Sequence, residues 1–223
     1  MRVVLRSKVL QSNEQAAVAN RELFGKHGLA VINMMSSPGS GKTTILEQTA
    51  RTLQGEVKIG VIEGDIQSTL DAERIAASGA EAVQINTEGA CHLDASMVAA
   101  AVQELPMSEL DLIVVENVGN LVCPAEFDLG EDARVIVLSV TEGNDKPLKY
   151  PVMFRQATAI VVNKVDLIEH TDFDRAALEQ DIKDLNPRAQ LFWVSARTGE
   201  GIGEWCEWLK RRVAIRRGSA AGV

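Results

Sequence analysis

Basic charge, cysteine and long apolar runs are all scarce in this 223-residue chain. Its 23 lysines and arginines are outnumbered by 31 aspartates and glutamates, giving a net charge of −8, which argues against a broad nucleic-acid-binding surface. Three cysteines, odd in number and widely spaced, make no disulfide framework and suit a reducing compartment. No segment reaches the roughly 18 consecutive apolar residues that a membrane span requires. The start, Met1-Arg2-Val3-Val4-Leu5-Arg6-Ser7-Lys8, lacks the apolar core of a signal peptide. Repeats, low-complexity tracts and Pro/Gly-rich linkers are missing as well. What is present, 46% hydrophobic and 24% charged residues, is ordinary globular usage, against disorder, collagen and coiled coil. A cytoplasmic protein with no nucleic-acid and no membrane partner is expected. At about 150 residues per domain, we read one domain over residues 1–223.

Short apolar runs recur, each followed by a turn signal and then by helical spacing. The runs are Leu29–Met35, Val57–Ile62, Ala82–Ile85, Leu112–Val115, Val135–Val140, Ala159–Val162 and Gln190–Val194. They are rich in Val and Ile without strict alternation, as strands buried on both faces are. Helices are expected over Gly41–Leu53, Leu70–Ala77, Leu93–Leu105, Phe173–Leu185 and Ile202–Arg212. Alternating elements of this kind predict an α/β fold, a doubly wound, mostly parallel seven-stranded sheet flanked by helices. Before the first strand, Ser12-Asn13-Glu14-Gln15 has the capping-box pattern and predicts a helix over about 13–27, ended by Gly28. The basic tail at about 210–223 reads as a solvated, fraying helix end.

After the first strand stands Ser36-Ser37-Pro38-Gly39-Ser40-Gly41-Lys42-Thr43-Thr44, which matches the P-loop G-x-x-x-x-G-K-[ST] except that Ser36 replaces the first glycine. Gly39 and Gly41 let successive N–H groups curl inward onto phosphate oxygens, and the following helix adds its positive dipole end. Pro38 through Thr44 thus form the phosphate cradle. Lys42 is placed to bridge the β- and γ-phosphates, and Thr43 to ligate Mg²⁺. A dinucleotide loop is the rival, with Glu63 and Asp65 about twenty residues on, but its third glycine would fall at Thr44 and it has no use for Lys42.

Asn163-Lys164-Val165-Asp166 follows the sixth run as an N-K-x-D sequence at a strand's carboxyl end, where such sheets bind ligands. The Asp166 carboxylate accepts from both the ring N–H and the exocyclic amine of guanine, an edge that adenine lacks. Asn163 is expected to hold the loop and the base's other edge, and the Lys164 stem to stack on the ring. Ser195-Ala196-Arg197 resembles the S-A-K element of GTPases, where a backbone N–H meets the guanine oxygen. Each motif is weak alone; in this order, each at a strand end, they point to GTP. Glu116, at the end of the fourth run, is positioned to hold a magnesium water, and the Gly119 N–H to sense the γ-phosphate. Asp65 serves either Mg²⁺ or the attacking water. Lys42, Asp65 and Glu116 are therefore the catalytic candidates. No glutamine or arginine finger is evident, so intrinsic turnover should be slow.

Cys91-His92 and Cys123 offer ligands suited to Ni²⁺ or Zn²⁺. Read cold, two cysteines so far apart are more readily core thiols than ligands; the adjacent His92 and the place beside a nucleotide switch bring the metal reading level with that one. Cys206, between Trp205 and Glu207, reads as a packed core thiol, and His27 and His170 as helix-end or loop residues.

These stretches, with Glu63-Gly64-Asp65, Cys91-His92-Leu93-Asp94, Glu116 through Pro124 and Thr141 through Pro151, resemble the HypB family of nickel-insertion GTPases of [NiFe]-hydrogenase maturation. That family belongs to the same broad class as the urease accessory GTPase and the nitrogenase iron protein. The likeness runs from about Glu14 to Leu209. It implies that Cys91, His92 and Cys123 form a Ni/Zn site at the interface of a GTP-promoted homodimer, and that Lys146 and Lys149 reach the partner subunit's nucleotide. It implies two further partners, a small nickel-binding accessory protein and the hydrogenase large subunit. No cysteine-rich motif or histidine tract precedes the domain here, so an additional high-affinity nickel site is not expected. A GTPase chaperone for urease or a cobalamin enzyme is the alternative.

Overall fold

The computed structural model describes residues 2–65, 70–87 and 89–220; the side chains of residues 2–7, Asp65 and Ala220 lie outside that description. Seven strands pair in the order β3-β2-β4-β1-β5-β6-β7, every pairing parallel. They are β1 Ala30–Ser36, β2 Ile59–Asp65, β3 Glu81–Asn86, β4 Leu112–Glu116, β5 Ala133–Ser139, β6 Ala159–Asn163 and β7 Gln190–Trp193. Each expected run is a strand, shifted by at most three residues at an end. The helices are α1 Arg2–His27, α2 Lys42–Thr52, α3 Leu70–Ala77, α4 Ala95–Ala101, α5 Lys146–Lys149, α6 Pro151–Gln156, α7 Arg175–Leu185 and α8 Ile202–Ala220.

The pleat divides the strand side chains between two layers. Ile32, Met34, Val61, Val114, Val137 and Val161 face α2 and α8, where Ile45, Leu46, Trp205, Trp208 and Leu209 pack. On the other side, Val31, Ile62, Ile113 and Val115 meet Phe24 of α1 and Val98 of α4. Met35, Ile136, Leu138, Ile160 and Val162 meet Phe154 of α6 and Leu178 of α7. Burial on both faces is why the strands lack alternation. The chain winds outward from β1 to β3, returns through β4 beside β1, and continues on the other side through β5 to β7. The crevice at the carboxyl ends of β1 and β4 is therefore the switch point, where such sheets bind ligands.

Both chain ends depart from expectation. The Ser12 capping box does not start a helix; α1 begins at Arg2. Its inner face is pinned from within, since Asn20 Nδ2 donates to Ala95 O at 2.8 Å and to Leu129 O at 3.0 Å. Asn13 likewise donates to Asp128 O at 2.8 Å and accepts from Ala95 N at 2.8 Å. The described part of the basic tail is largely exposed, as expected, but it is not frayed. The helix runs on to Ala220, Arg216 reaches Leu29 O at 3.2 Å and Arg21 O at 3.3 Å, and Arg217 pairs with Asp111. Leu93–Leu105 is shorter as an α-helix than expected, with Asp94 capping it through Met97 N at 2.8 Å and a 3₁₀ turn at Val102–Glu104 closing it.

Asn20→Ala leaves two buried carbonyls without their donor. It should lower the unfolding free energy by about 2 kcal/mol, read in urea with an unchanged m-value.

Candidate nucleotide and metal site

Pro38, Gly39, Gly41, Lys42, Thr43 and Thr44 line a cleft of about 400 Å³ together with Glu63, Gly64, Asp71, Arg74, Glu116 and the loop 117–119. Gly39 and Gly41 have φ of 78° and 96°, the left-handed conformation that a side chain resists. A Cβ on Gly41 would also collide with the Asn163 amide. Ser36, the departure from the glycine pattern, has a task of its own: its Oγ accepts from Lys42 Nζ at 2.8 Å. Ser40 is fully buried and does not line the cleft. Its Oγ, with a single proton to share, stands 2.6 Å from Glu142 Oε1 and 2.8 Å from Ser37 O, bracing the loop from behind. Glu142 lies in a 3₁₀ turn after β5, within the Thr141–Pro151 stretch that carries the family resemblance, though the sequence alone assigns it no role.

Glu116 ends β4 with 5% of its surface exposed. Its Oε1 accepts from Thr43 Oγ1 at 3.0 Å and stands 3.9 Å from Lys42 Nζ. Glu63, 3% exposed, is its register partner on β2. Sequence reasoning weighed Glu63 only as a dinucleotide acid, because a carboxylate near a strand end reads like any other. Glu63 Oε1 and Glu116 Oε2 are both buried without a hydrogen-bond donor. Burial, then the Glu116 carboxylate, hold the Glu63 carboxyl well above the ordinary range. One proton between the two acids satisfies both orphaned oxygens. A hydrated divalent cation would serve them equally, so oxygen-only donors beside a phosphate cradle fit Mg²⁺. Asp65 ends β2, and its side chain lies outside the described residues.

At the far side of the loop, Asn163 Nδ2 donates to Ser40 O at 2.9 Å and its Oδ1 accepts from Ala196 N at 3.0 Å. Ala196 N–H is thus bonded to Asn163, which ties the S-A element to the N-K-x-D turn. Ser195 Oγ donates to Asp166 Oδ1 at 2.6 Å and orients that carboxylate. Lys164 takes φ 63°, left-handed without being glycine, and its Nζ donates to Gly39 O at 2.7 Å. Its stem therefore spans the gap between the N-K-x-D turn and the phosphate loop. Asn163, Lys164, Asp166, Ser195 and Ala196 form one hydrogen-bonded group with the loop.

Strand order places β3 and β4 on either side of β2, so the segments that follow them meet. The ligand atoms of Cys91, His92 and Cys123 lie within 4.8 Å of one another, and Cys91 Sγ stands 3.5 Å from His92 Nδ1. Cys91 is exposed and Cys123 half-buried, which disposes of the core-thiol reading; Cys206 is the buried one. The His92 ring rests against Phe127 with centroids 3.9 Å apart. Burial lowers the His92 pKa against the pull of Asp94, keeping the imidazole neutral as a metal ligand must be. A hydrogen bond with Cys123, then burial, raises the Cys91 thiol, so a metal there displaces protons. Sulfur and nitrogen donors in this number suit Ni²⁺ or Zn²⁺.

Gly119 packs on the phosphate loop so closely that a Cβ would lie 3.0 Å from the Pro38 backbone. Lys146 and Lys149 sit on α5, outside the cleft, and Lys149 pairs with Asp145 at 2.5 Å.

Residues 30–193 match the sequence profile described as CobW/HypB/UreG, nucleotide-binding domain. The hydrogenase maturation factor HypB of Azotobacter chroococcum is 49% identical over 214 residues, 96% of this chain and 70% of that protein. The hydrogenase/urease maturation factor HypB of Helicobacter hepaticus is 41% identical, over 93% of this chain and 87% of its own length. Among solved structures, HypB from Helicobacter pylori in complex with nickel superposes with a TM-score of 0.88 at 39% identity, covering 92% of this chain and 97% of that one.

Glu63 sets a pH dependence. Above 4.5, its ordinary value, the unfolded chain releases a proton that the folded chain keeps, so stability is lost as pH rises. Glu63→Gln imitates the neutral acid at every pH. In magnesium-free buffer its melting temperature should fall less than wild type's between about pH 6 and 9; parallel curves would show Glu63 ionised in the folded chain.

Proposed function

The chain belongs to the CobW/HypB/UreG family of nucleotide-binding domains, and from that premise we propose that it hydrolyses GTP to drive nickel insertion during [NiFe]-hydrogenase maturation. One observation carries this reading. The loop that leaves β4 holds Gly119 against the phosphate loop and, four residues on, presents Cys123 to Cys91 and His92.

Recognition of GTP rests on Asp166, oriented by Ser195. Adenine would leave that carboxylate unpaired, a penalty of roughly ten-thousand-fold in sites built to pair a polar edge. Lys42 leaves Ser36 for the β- and γ-phosphates, and the Gly119 N–H meets the γ-phosphate. Thr43 and Glu116 would hold Mg²⁺, which supplies neutralisation of charge on the β- and γ-oxygens, and Asp65, at the end of β2, would join them or orient the attacking water. Arg74 lines the cleft yet is held by Glu47 at 2.9 Å and Asp71 at 2.8 Å. Among the described residues no unpaired arginine or glutamine lines the cleft, and slow intrinsic turnover is expected.

Nickel or zinc is the cargo. Three protein ligands do not close a tetrahedral site, and a second subunit brought up by GTP supplies the remainder. In that homodimer Lys146 and Lys149 reach the partner's nucleotide. The small nickel-binding accessory protein delivers or receives the ion, and the hydrogenase large subunit is the client. A relative named for hydrogenase and urease alike supports urease as a second client. Co-purification with the hydrogenase large subunit or with urease separates the two.

Nickel and zinc affinities should be measured with GDP and with a non-hydrolysable GTP analogue, in wild type and in Cys123→Ala. Wild type should differ between nucleotides by about 5- to 100-fold, the usual range of such coupling, and Cys123→Ala should bind weakly and equally in both. Equal wild-type affinities would overturn the coupling. Lys42→Ala should abolish GTP hydrolysis; retained hydrolysis would remove the P-loop from the reaction.

A further inference from the structure

Two asparagines bracket Gly119, and both bind the segment that carries Cys91 and His92. Asn117, 1% exposed, is the fixed end. Its N–H donates to Met34 O at 2.9 Å and its Nδ2 to Asn33 Oδ1 at 3.2 Å, fastening it to β1. Its Oδ1 accepts from Val118 N at 3.0 Å and from Leu93 N at 3.1 Å, the residue after His92. Asn120 lies on the other side of Gly119. Its Nδ2 donates to the Cys91 carbonyl at 3.3 Å, while its Oδ1 accepts from Val122 N at 2.8 Å, next to Cys123. One carboxamide therefore touches the backbone at Cys91 and the turn that leads into Cys123.

Resting on the proposed GTP-driven metal handling, we propose that Asn120 is the positioning residue through which Gly119 sets the separation of Cys91 and Cys123, with Asn117 as its pivot. Gly119 cannot move against Pro38 without carrying Asn120, its chain neighbour. Asn117 cannot follow, being held to β1. A displacement at Gly119 thus turns the outer half of the loop about Asn117. Asn120 passes that turn to Cys91 as well as to Cys123, so both thiols respond to the nucleotide.

The test is Asn120→Asp, which keeps the acceptor for Val122 N–H and removes the donor to Cys91 O, with Asn120→Ala as the second variant. Added charge strengthens metal binding in both nucleotide states alike, so the readout is the ratio of nickel affinities between the GTP-analogue and GDP forms. That ratio should fall about five-fold in both variants, the worth of one hydrogen bond, with metal-free GTP hydrolysis unchanged. Amide hydrogen exchange at residues 91–93 of the metal-free chain should depend on nucleotide in wild type and lose that dependence in the variants. A wild-type ratio preserved in Asn120→Asp would overturn this inference alone. A ratio of one in wild type would overturn the coupling reading and this inference with it.

Discussion

A carboxylate buried at the end of a central parallel strand is the constraint on which the site depends. Glu116 leaves β4 beside an ammonium, a hydroxyl and another buried acid. Such a charge is costly to bury unless it is paired and hydrogen-bonded. Thr43 supplies one bond and Lys42 nearby charge, and both come from the turn that follows β1. Glu63 comes from β2. The ends of three adjacent strands are thereby tied at one point, and their alignment is set by the sheet, where a slip of one residue would send every side chain of a strand to the opposite layer. Core packing and site geometry are the same requirement seen from two sides.

Asn163 does on the base side what Glu116 does on the phosphate side. Its carboxamide is shared between Ser40 O and Ala196 N, so the two halves of the nucleotide site are joined by a single buried side chain. Gly41 is needed for the same reason, because only a residue without Cβ lets that amide approach. Base recognition and phosphate binding are consequently one rigid unit, while the loop after β4 is held less firmly.

The phosphate loop, the strand sequence and the N-K-x-D and S-A elements were legible in the sequence because each is local: spacing and residue type fix the turn, and the strand supplies the position. The two helix ends were not, because distant contacts decide them. The Ser12 capping box is outweighed by Asn13 and Asn20, whose partners lie 75 to 115 residues away. Arg216 finds a carbonyl 187 residues back along the chain, and no reading of a basic tail shows that. The sulfur trio falls between these cases. Its members are separated by 32 positions, and only the placing of β3 and β4 around β2 brings them together. The pairing of Glu63 with Glu116 was not legible, because it is a property of strand register and not of neighbours in sequence.

The loop after β4 meets opposed demands. Its start is anchored, since Asn117 is buried and bonded to β1. Beyond Gly119 it is held by the Asn120 carboxamide and the buried Leu121 side chain until the 3₁₀ turn at Cys123–Glu126 begins. A loop fixed at one end and loosely held at the other transmits a push at its middle to its free end, and the free end here carries a metal ligand. On the proposed reading coupling runs in the other direction too: an ion that draws Cys123 toward Cys91 and His92 would restrain the same few residues that would meet the γ-phosphate, so metal would shift nucleotide affinity by the free energy with which nucleotide shifts metal affinity. The length of that segment sets how strong the exchange is. A longer loop would absorb the motion in its own torsions, whereas three residues between Gly119 and Cys123 leave it little room to do so.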